Sequence, residues 1–295
     1  MSITASMVKA LRERSGAGMM ECKKALAETQ GDEDAALVLL RTKGEVQAEK
    51  KAGRIAAEGV IGSYASEDGK VAALVELNCE TDFVAKEPAF KDFANALAQL
   101  AMDQNPADLD ALLAMTLPGE SQDVEAARSA LINKIGENIN IRRFVRFAAE
   151  ADTQISIYLH GVRIGVLVES SGGVASLGRD IAMHIAASRP LCVSADQVPQ
   201  ESIEKEKAIF IAQAEESGKP PEIIEKMVSG KLRKHVNEVC LEGQSYVKAP
   251  ELSVAKLLAG ENAKVSQFVR FEVGEGIEKK VEDFAAEVMA QAKGG

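Results

Sequence analysis

The side chains that could do chemistry in this sequence are few and mostly isolated. His160, His184 and His235 stand far apart, and none shares a motif with a nucleophile or a metal-ligand partner. Cys22, Cys79, Cys192 and Cys240 are widely scattered. No CxxC or Cys/His ligand spacing occurs, so neither a zinc site nor a disulfide framework is supported. A phosphate-cradling GxxxxGK[ST] or GxGxxG motif is missing too, so the chain does not read as a nucleotide binder. No metal, no cofactor and no catalytic residues are expected. A cysteine hydrolase acting through Cys22 or Cys79 stays open as a minor alternative, although no histidine is visibly paired with either.

One segment offers more. Residues 78–84 read NCETDFV and place the carboxylate of Asp82 beside the ring of Phe83. The segment follows an apolar strand pattern, residues 71–77, and precedes a helix starting near Pro88. Loops held by a rigid scaffold commonly carry function, which would make Asp82 and Phe83 a recognition pair. In the competing reading Asp82 caps a helix and Phe83 fills the core. On pattern alone that packing role is the commoner one.

The elements that must position this loop come from periodicity. Residues 1–56 read as helix throughout. Thr4 caps a first helix with Met7, Val8 and Leu11 on one face, and residues 15–18 end it. A second helix runs from Met19 to about Thr29, and a third from Glu33 to Lys43, stopped by Gly44. Residues 45–57 then read as a charged connecting helix. From Val60 the pattern turns to strands, and an internal repeat appears. Residues 71–76 (VAALVE) match 164–169 (IGVLVE) at an offset of 93, and residues 91–94 match 179–182 at an offset of 88. Gly136-Glu137-Asn138 with Phe144-Val145-Arg146-Phe147 recurs as Gly260-Glu261-Asn262 with Phe268-Val269-Arg270-Phe271, both at an offset of 124. Each copy reads as a β-hairpin, a helix, a further helical segment and a returning FVRF strand, an α+β layout with helices on one face of a small antiparallel sheet. The drop from 93 to 88 lengthens the first copy by five residues at the NCETDFV loop. The rise from 88 to 124 lengthens the second copy near residues 192–243. That insertion carries two amphipathic stretches around Gly218-Lys219-Pro220-Pro221 and reads as a projecting helical hairpin, for which an enlarged core and an intermolecular contact stand level. A final helix carries Ile277, Val281, Phe284, Ala285, Val288 and Met289 on one stripe.

Composition narrows the function classes. The net charge of −10 and pI near 5.1 oppose direct nucleic-acid binding. Lys50, Lys51 and Arg54 are flanked by Glu49 and Glu58 and read as a solvated helix face. No basic-then-apolar leader occurs and no apolar run approaches membrane-spanning length, so a reduced, cytoplasmic protein without a membrane partner is expected.

Several segments together resemble the elongation factor Ts family: residues 11–26 (LRERSGAGMMECKKAL), 78–85 (NCETDFVA), 135–143 (IGENINIRR), 160–167 (HGVRIGVL), 217–220 (SGKP) and 271–277 (FEVGEGI). They span essentially the whole chain in order. The resemblance implies an N-terminal three-helix domain like ubiquitin-associated (UBA) domains, a duplicated core, a protruding helical hairpin and a C-terminal helical module. The corresponding division is 1–56, 57–150, 151–190 with 244–275, 191–243, and 276–295. It further implies a guanine nucleotide exchange factor of translation whose partner is elongation factor Tu. Residues Thr81, Asp82, Phe83 and Val84 would disturb the magnesium site of that GTPase, with Phe83 as an apolar wedge. Lys23, in the N-terminal domain, and His160 would lie at secondary interfaces, and the hairpin could support a homodimer. The rival function is a UBA-type adaptor working through residues 1–45 alone.

Overall fold

The computed structural model describes residues 3–120, 122–216 and 218–278. The expected C-terminal module, 276–295, therefore lies almost wholly outside the described residues.

Three helices open the chain: α1 (Ala5–Ser15), α2 (Met19–Glu28) and α3 (Glu33–Lys51). The Thr4 hydroxyl accepts from Met7 N–H at 3.3 Å and the Asp32 carboxylate from Ala35 N–H at 2.9 Å, each satisfying a donor the helix start leaves free. Val8, Leu11, Cys22, Ala25, Leu26 and Ala36 close a small separate core between them.

The first sheet contains β1 (Glu58–Ala65) and β2 (Val71–Cys79). It is followed by α4 (Pro88–Gln104), α5 (Leu109–Leu113) and α6 (Val124–Ile135), and completed by β3 (Asn140–Ala148). The strands are antiparallel in the order β1-β2-β3. Helix α4 turns Phe90, Phe93, Ala94, Leu97 and Ala101 toward the sheet, a helical spacing on one face. Each such large side chain taken from water contributes about 1.5–3 kcal/mol. Gly62 of β1 lets α4 come close, since a Cβ there would stand 2.2 Å from the Ala94 carbonyl oxygen.

The second unit repeats the plan with β4 (Gln154–His160), β5 (Ile164–Ser171) and α7 (Leu177–Ser188). Helices α8 (Gln200–Glu215) and α9 (Pro221–Val239) come next. The short strands β6 (Ser245–Tyr246) and β7 (Ala249–Ser253), then α10 (Val254–Gly260) and β8 (Lys264–Glu272), finish it. Its main sheet has the order β4-β5-β8, also antiparallel. Helices α8 and α9 run antiparallel, with Lys231 donating to Gln213 at 3.1 Å and the Phe210 and His235 rings edge to face.

The repeat holds in three dimensions. Val75 pairs with Phe144, and its counterpart Val168 pairs with Phe268. Both central strands break register at the same place, between Glu76 and Leu77 and between Glu169 and Ser170. Each bulge carries a buried carboxylate, Glu76 or Glu169. The two sheets then pack on each other through Ile61, Leu74, Phe147, Leu167, Phe271 and Val273. The fold is α+β, as the periodicity implied.

One helix boundary differs from the sequence reading. Helix α3 continues through Gly44 instead of ending there, and residues 45–51 belong to it. The glycine serves helix packing: a Cβ at Gly44 would lie 2.4 Å from the Asn133 side-chain nitrogen of α6. Its helix-propensity penalty of about 1 kcal/mol is the cost of that close approach.

Candidate functional site

The site begins where β2 ends. The thiol of Cys79, fully buried, donates to the Thr81 carbonyl oxygen at 3.2 Å, and burial pushes it up to about 12. Such a thiol is protonated and inert near neutrality, which removes Cys79 as a nucleophile. Beyond it the chain is clamped from residues 137–138. The Glu137 carboxylate accepts three hydrogen bonds, from Glu80 N–H and Thr81 N–H at 3.0 Å and from the Thr81 hydroxyl at 2.6 Å. Glu80 returns the contact by accepting from Asn138 N–H at 2.6 Å, and Arg54 sits 3.5 Å from the same oxygen.

A single 3-10 turn, Val84–Lys86, follows. It directs Val84 and Ala85 into the core beneath α4, where both are buried. Phe83 is left outside, at 76% exposure the most exposed large apolar side chain among the described residues. Lys86 holds the outer face: its Nζ lies 2.6 Å from an Asp82 carboxylate oxygen and 5.5 Å from the Phe83 ring centroid. The hydrogen bond from Lys86 keeps the Asp82 carboxyl below the usual carboxylate range, so it stays ionised well into acid. Asp82 caps no helix and Phe83 fills no core, so the packing alternative for this pair does not hold. Leaving a phenylalanine in water forgoes roughly 1.5–3 kcal/mol of burial.

The remaining sequence candidates are placed as follows. Lys23 lies exposed on α2 and His160 exposed at the end of β4, its Nδ1 3.1 Å from the Tyr158 hydroxyl. No hydrogen bond, ion pair or ring contact found among the described residues joins either to the loop. The turn after His160 is nevertheless tied to the first sheet: the Val162 carbonyl accepts from Ile61 N–H at 2.8 Å, and Arg163 pairs with Glu58. Glu58 is the register partner of Cys79, directly before the loop. His184 is a packed histidine of α7. It is fully buried, accepts from Val247 N–H at Nδ1 and lies 2.9 Å from the Gln244 amide oxygen at Nε2. Among the described residues no cluster of His, Cys, Asp or Glu could hold a metal ion. No described helix is long and apolar enough to cross a membrane.

Sequence reasoning missed Glu137 and Lys86. Glu137 was visible only as part of a repeated Gly-Glu-Asn triplet, with nothing local to link it to a loop 56 residues earlier. The second copy shows the contrast: its shorter loop, at Gly172, packs straight onto the main chain of Asn262 and Ala263.

A family model described as elongation factor TS matches residues 80–275, from the clamped loop through the last strand of the first sheet and the whole second sheet. The chain is 60% identical over 294 residues to elongation factor Ts of Thioalkalivibrio sulfidiphilus, and equally to that of Alkalilimnicola ehrlichii, covering all of both chains in each case. The chain belongs to the elongation factor Ts family. Elongation factor Ts of Legionella pneumophila is a further relative, 51% identical over 99% of each chain. Membership carries the role of a translation elongation factor, and the 81–84 loop lies wholly within the segment that the family model covers.

Proposed function

We propose that this chain is the guanine nucleotide exchange factor for elongation factor Tu and that residues 81–84 act on the magnesium site of that GTPase. The observation that carries the reading is Phe83, 76% exposed on a turn clamped by Glu137 and flanked by an ionised Asp82. Mg²⁺ bridging nucleotide phosphates requires near-octahedral ligands at about 2.0–2.1 Å, so a small displacement of its surroundings weakens the whole site. A wedge that fits the distorted GTPase binds its nucleotide-free state best. Reciprocity then obliges nucleotide to weaken the factor's own binding by the same free energy. Such a device needs no acid, base or metal of its own. Lys23 and His160 are proposed as secondary contacts, outside the wedge. The adaptor alternative resting on residues 1–45 is not favoured by family membership.

The test is release of fluorescent GDP from purified elongation factor Tu. The native chain should accelerate it strongly, and a variant carrying Asp82→Ala with Phe83→Ala should not, while melting at an unchanged temperature. Phe83→Ala alone should weaken binding by about 2 kcal/mol or more, roughly 30-fold. A Phe83→Ala protein with native exchange activity would refute the wedge assignment. A native chain without any acceleration would refute the exchange function.

A further inference from the structure

Two cysteines with no part in the exchange reading meet at the root of α8 and α9. Cys192 lies beyond α7, and Cys240 directly follows α9; they are partners in a single parallel β-bridge. The bridge is flanked by Leu191 N–H donating to the Val239 carbonyl at 2.8 Å and Leu241 N–H donating to the Cys192 carbonyl at 2.9 Å. Main chains paired in this way run about 4.8 Å apart. A disulfide needs Cα atoms roughly 4.4–6.8 Å apart, so the backbone already holds the pair within reach. Both thiols are free; Cys192 is half-buried and Cys240 buried. Burial, then the neighbouring Cys240, then Asp196 raise the Cys192 thiol above its ordinary value. The other two cysteines have no such partner geometry: Cys22 is packed among the N-terminal helices and Cys79 in the core of the first sheet.

We propose that Cys192 and Cys240 form a reversible dithiol–disulfide pair that clasps the two ends of the α8–α9 segment. The oxidant is a small-molecule disulfide such as oxidised glutathione. Cys192, the accessible member, loses its proton to solvent, and its thiolate attacks one sulfur of the oxidant. The oxidant's S–S bond breaks and one thiolate leaves with the electron pair. Cys240, deprotonated in turn, attacks the Cys192 sulfur and expels the second thiolate. Two protein thiols are thereby oxidised by two electrons and one external disulfide is reduced to two thiols, which take up the two protons. The raised pKa of Cys192 makes the reaction slow near neutrality and faster as pH rises. The new bond closes a loop of about 50 residues, and so restricts the unfolded chain. It also fixes the root of α8–α9 to the second core, where the neighbours Val193 and Leu241 are already buried.

The experiment treats the full chain with oxidised glutathione at mildly alkaline pH and compares it with the reduced protein. The expected product is a monomer lighter by two hydrogens whose titratable thiols, counted after denaturation, fall from four to two. Its proteolytic map should join the peptides containing Cys192 and Cys240, dithiothreitol should reverse the change, and Cys192→Ser or Cys240→Ser should abolish it. The oxidised protein should also melt at a higher temperature than the reduced one. A lasting glutathione adduct on Cys192, a cross-link through Cys22 or Cys79, or four thiols remaining after treatment would each overturn the proposal.

Discussion

At the scale of single residues, the loop works by dividing labour between neighbours. Val84 and Ala85 anchor it in the core, and Phe83 and Asp82 face outward. Glu137 holds the base. Replacing Glu137 by Ala leaves the Glu80 and Thr81 N–H groups without their acceptor, at a cost of about 1–3 kcal/mol. We predict that Glu137→Ala lowers the urea midpoint and reduces GDP release even though Asp82 and Phe83 remain. Glu137→Gln, which keeps one amide oxygen as acceptor, should retain more of both. Equal activity of native and Glu137→Ala proteins would show that the clamp is irrelevant to exchange. The residue types of the candidate site were legible in the sequence, since Asp82 and Phe83 stood in the segment by which the first copy is lengthened. Their direction was not. A 3-10 turn of three residues decides which of Phe83, Val84 and Ala85 goes inward, and no periodic pattern can be read over so short a span.

At the scale of elements, close approach decides what each helix tolerates. Gly62 separates β1 from α4, and a Cβ at that position would meet main-chain atoms of Ala94 at 2.2 and 2.5 Å. Main chain cannot turn aside as a side chain can. Gly62→Ala should therefore destabilise by about 1–3 kcal/mol, the usual cost of overpacking, measurable as a lower denaturant midpoint. On α7, burial holds His184 below its ordinary pKa near 6.5. The unfolded chain accordingly takes up its proton at higher pH than the folded chain does. Stability from this residue is complete above about 6.5 and drains away as pH falls below it. His184→Gln should flatten the midpoint-versus-pH curve in that window, and an unchanged curve would exclude the histidine as its cause. Element types were largely legible because the duplication presented the three strands of each main sheet, and the helix packed on it, twice. The end of α3 was misread at Gly44, because a glycine that stops a helix and one that admits a neighbouring helix look alike until Asn133 is placed beside it.

At the scale of the whole molecule, two equivalent carboxylates do unequal work. Glu76 accepts from Arg142 at 3.0 Å, Arg143 at 2.6 Å and Gly274 N–H at 2.8 Å, tying the first sheet to the chain just beyond β8. Glu169, at the matching bulge, accepts from the neutral side chains of Thr153 and Gln267, at 2.6 and 2.7 Å. Burial pushes the Glu169 carboxyl up, but those hydrogen bonds prevail and leave it below its usual value. Breaking a buried ion pair costs about 3–5 kcal/mol, somewhat less here because both arginines keep some contact with water. Glu76→Gln should thus lower the urea midpoint clearly more than Glu169→Gln, and the reverse order would refute the assigned roles. The two-copy plan was visible in the offsets between repeats; this link across the copies was not, because it joins residues 198 positions apart.

The clamp under the exposed loop also bears on how an encounter proceeds. Ordering a flexible loop at the moment of binding would subtract conformational entropy from every complex formed. With its base fastened at 2.6–3.0 Å, the loop has met that demand during folding. The partner therefore meets a ready-made shape, and a loop that need not fold on arrival need not unfold on departure either. Under the proposed exchange function, that suits a factor whose work would be a cycle rather than a stable embrace.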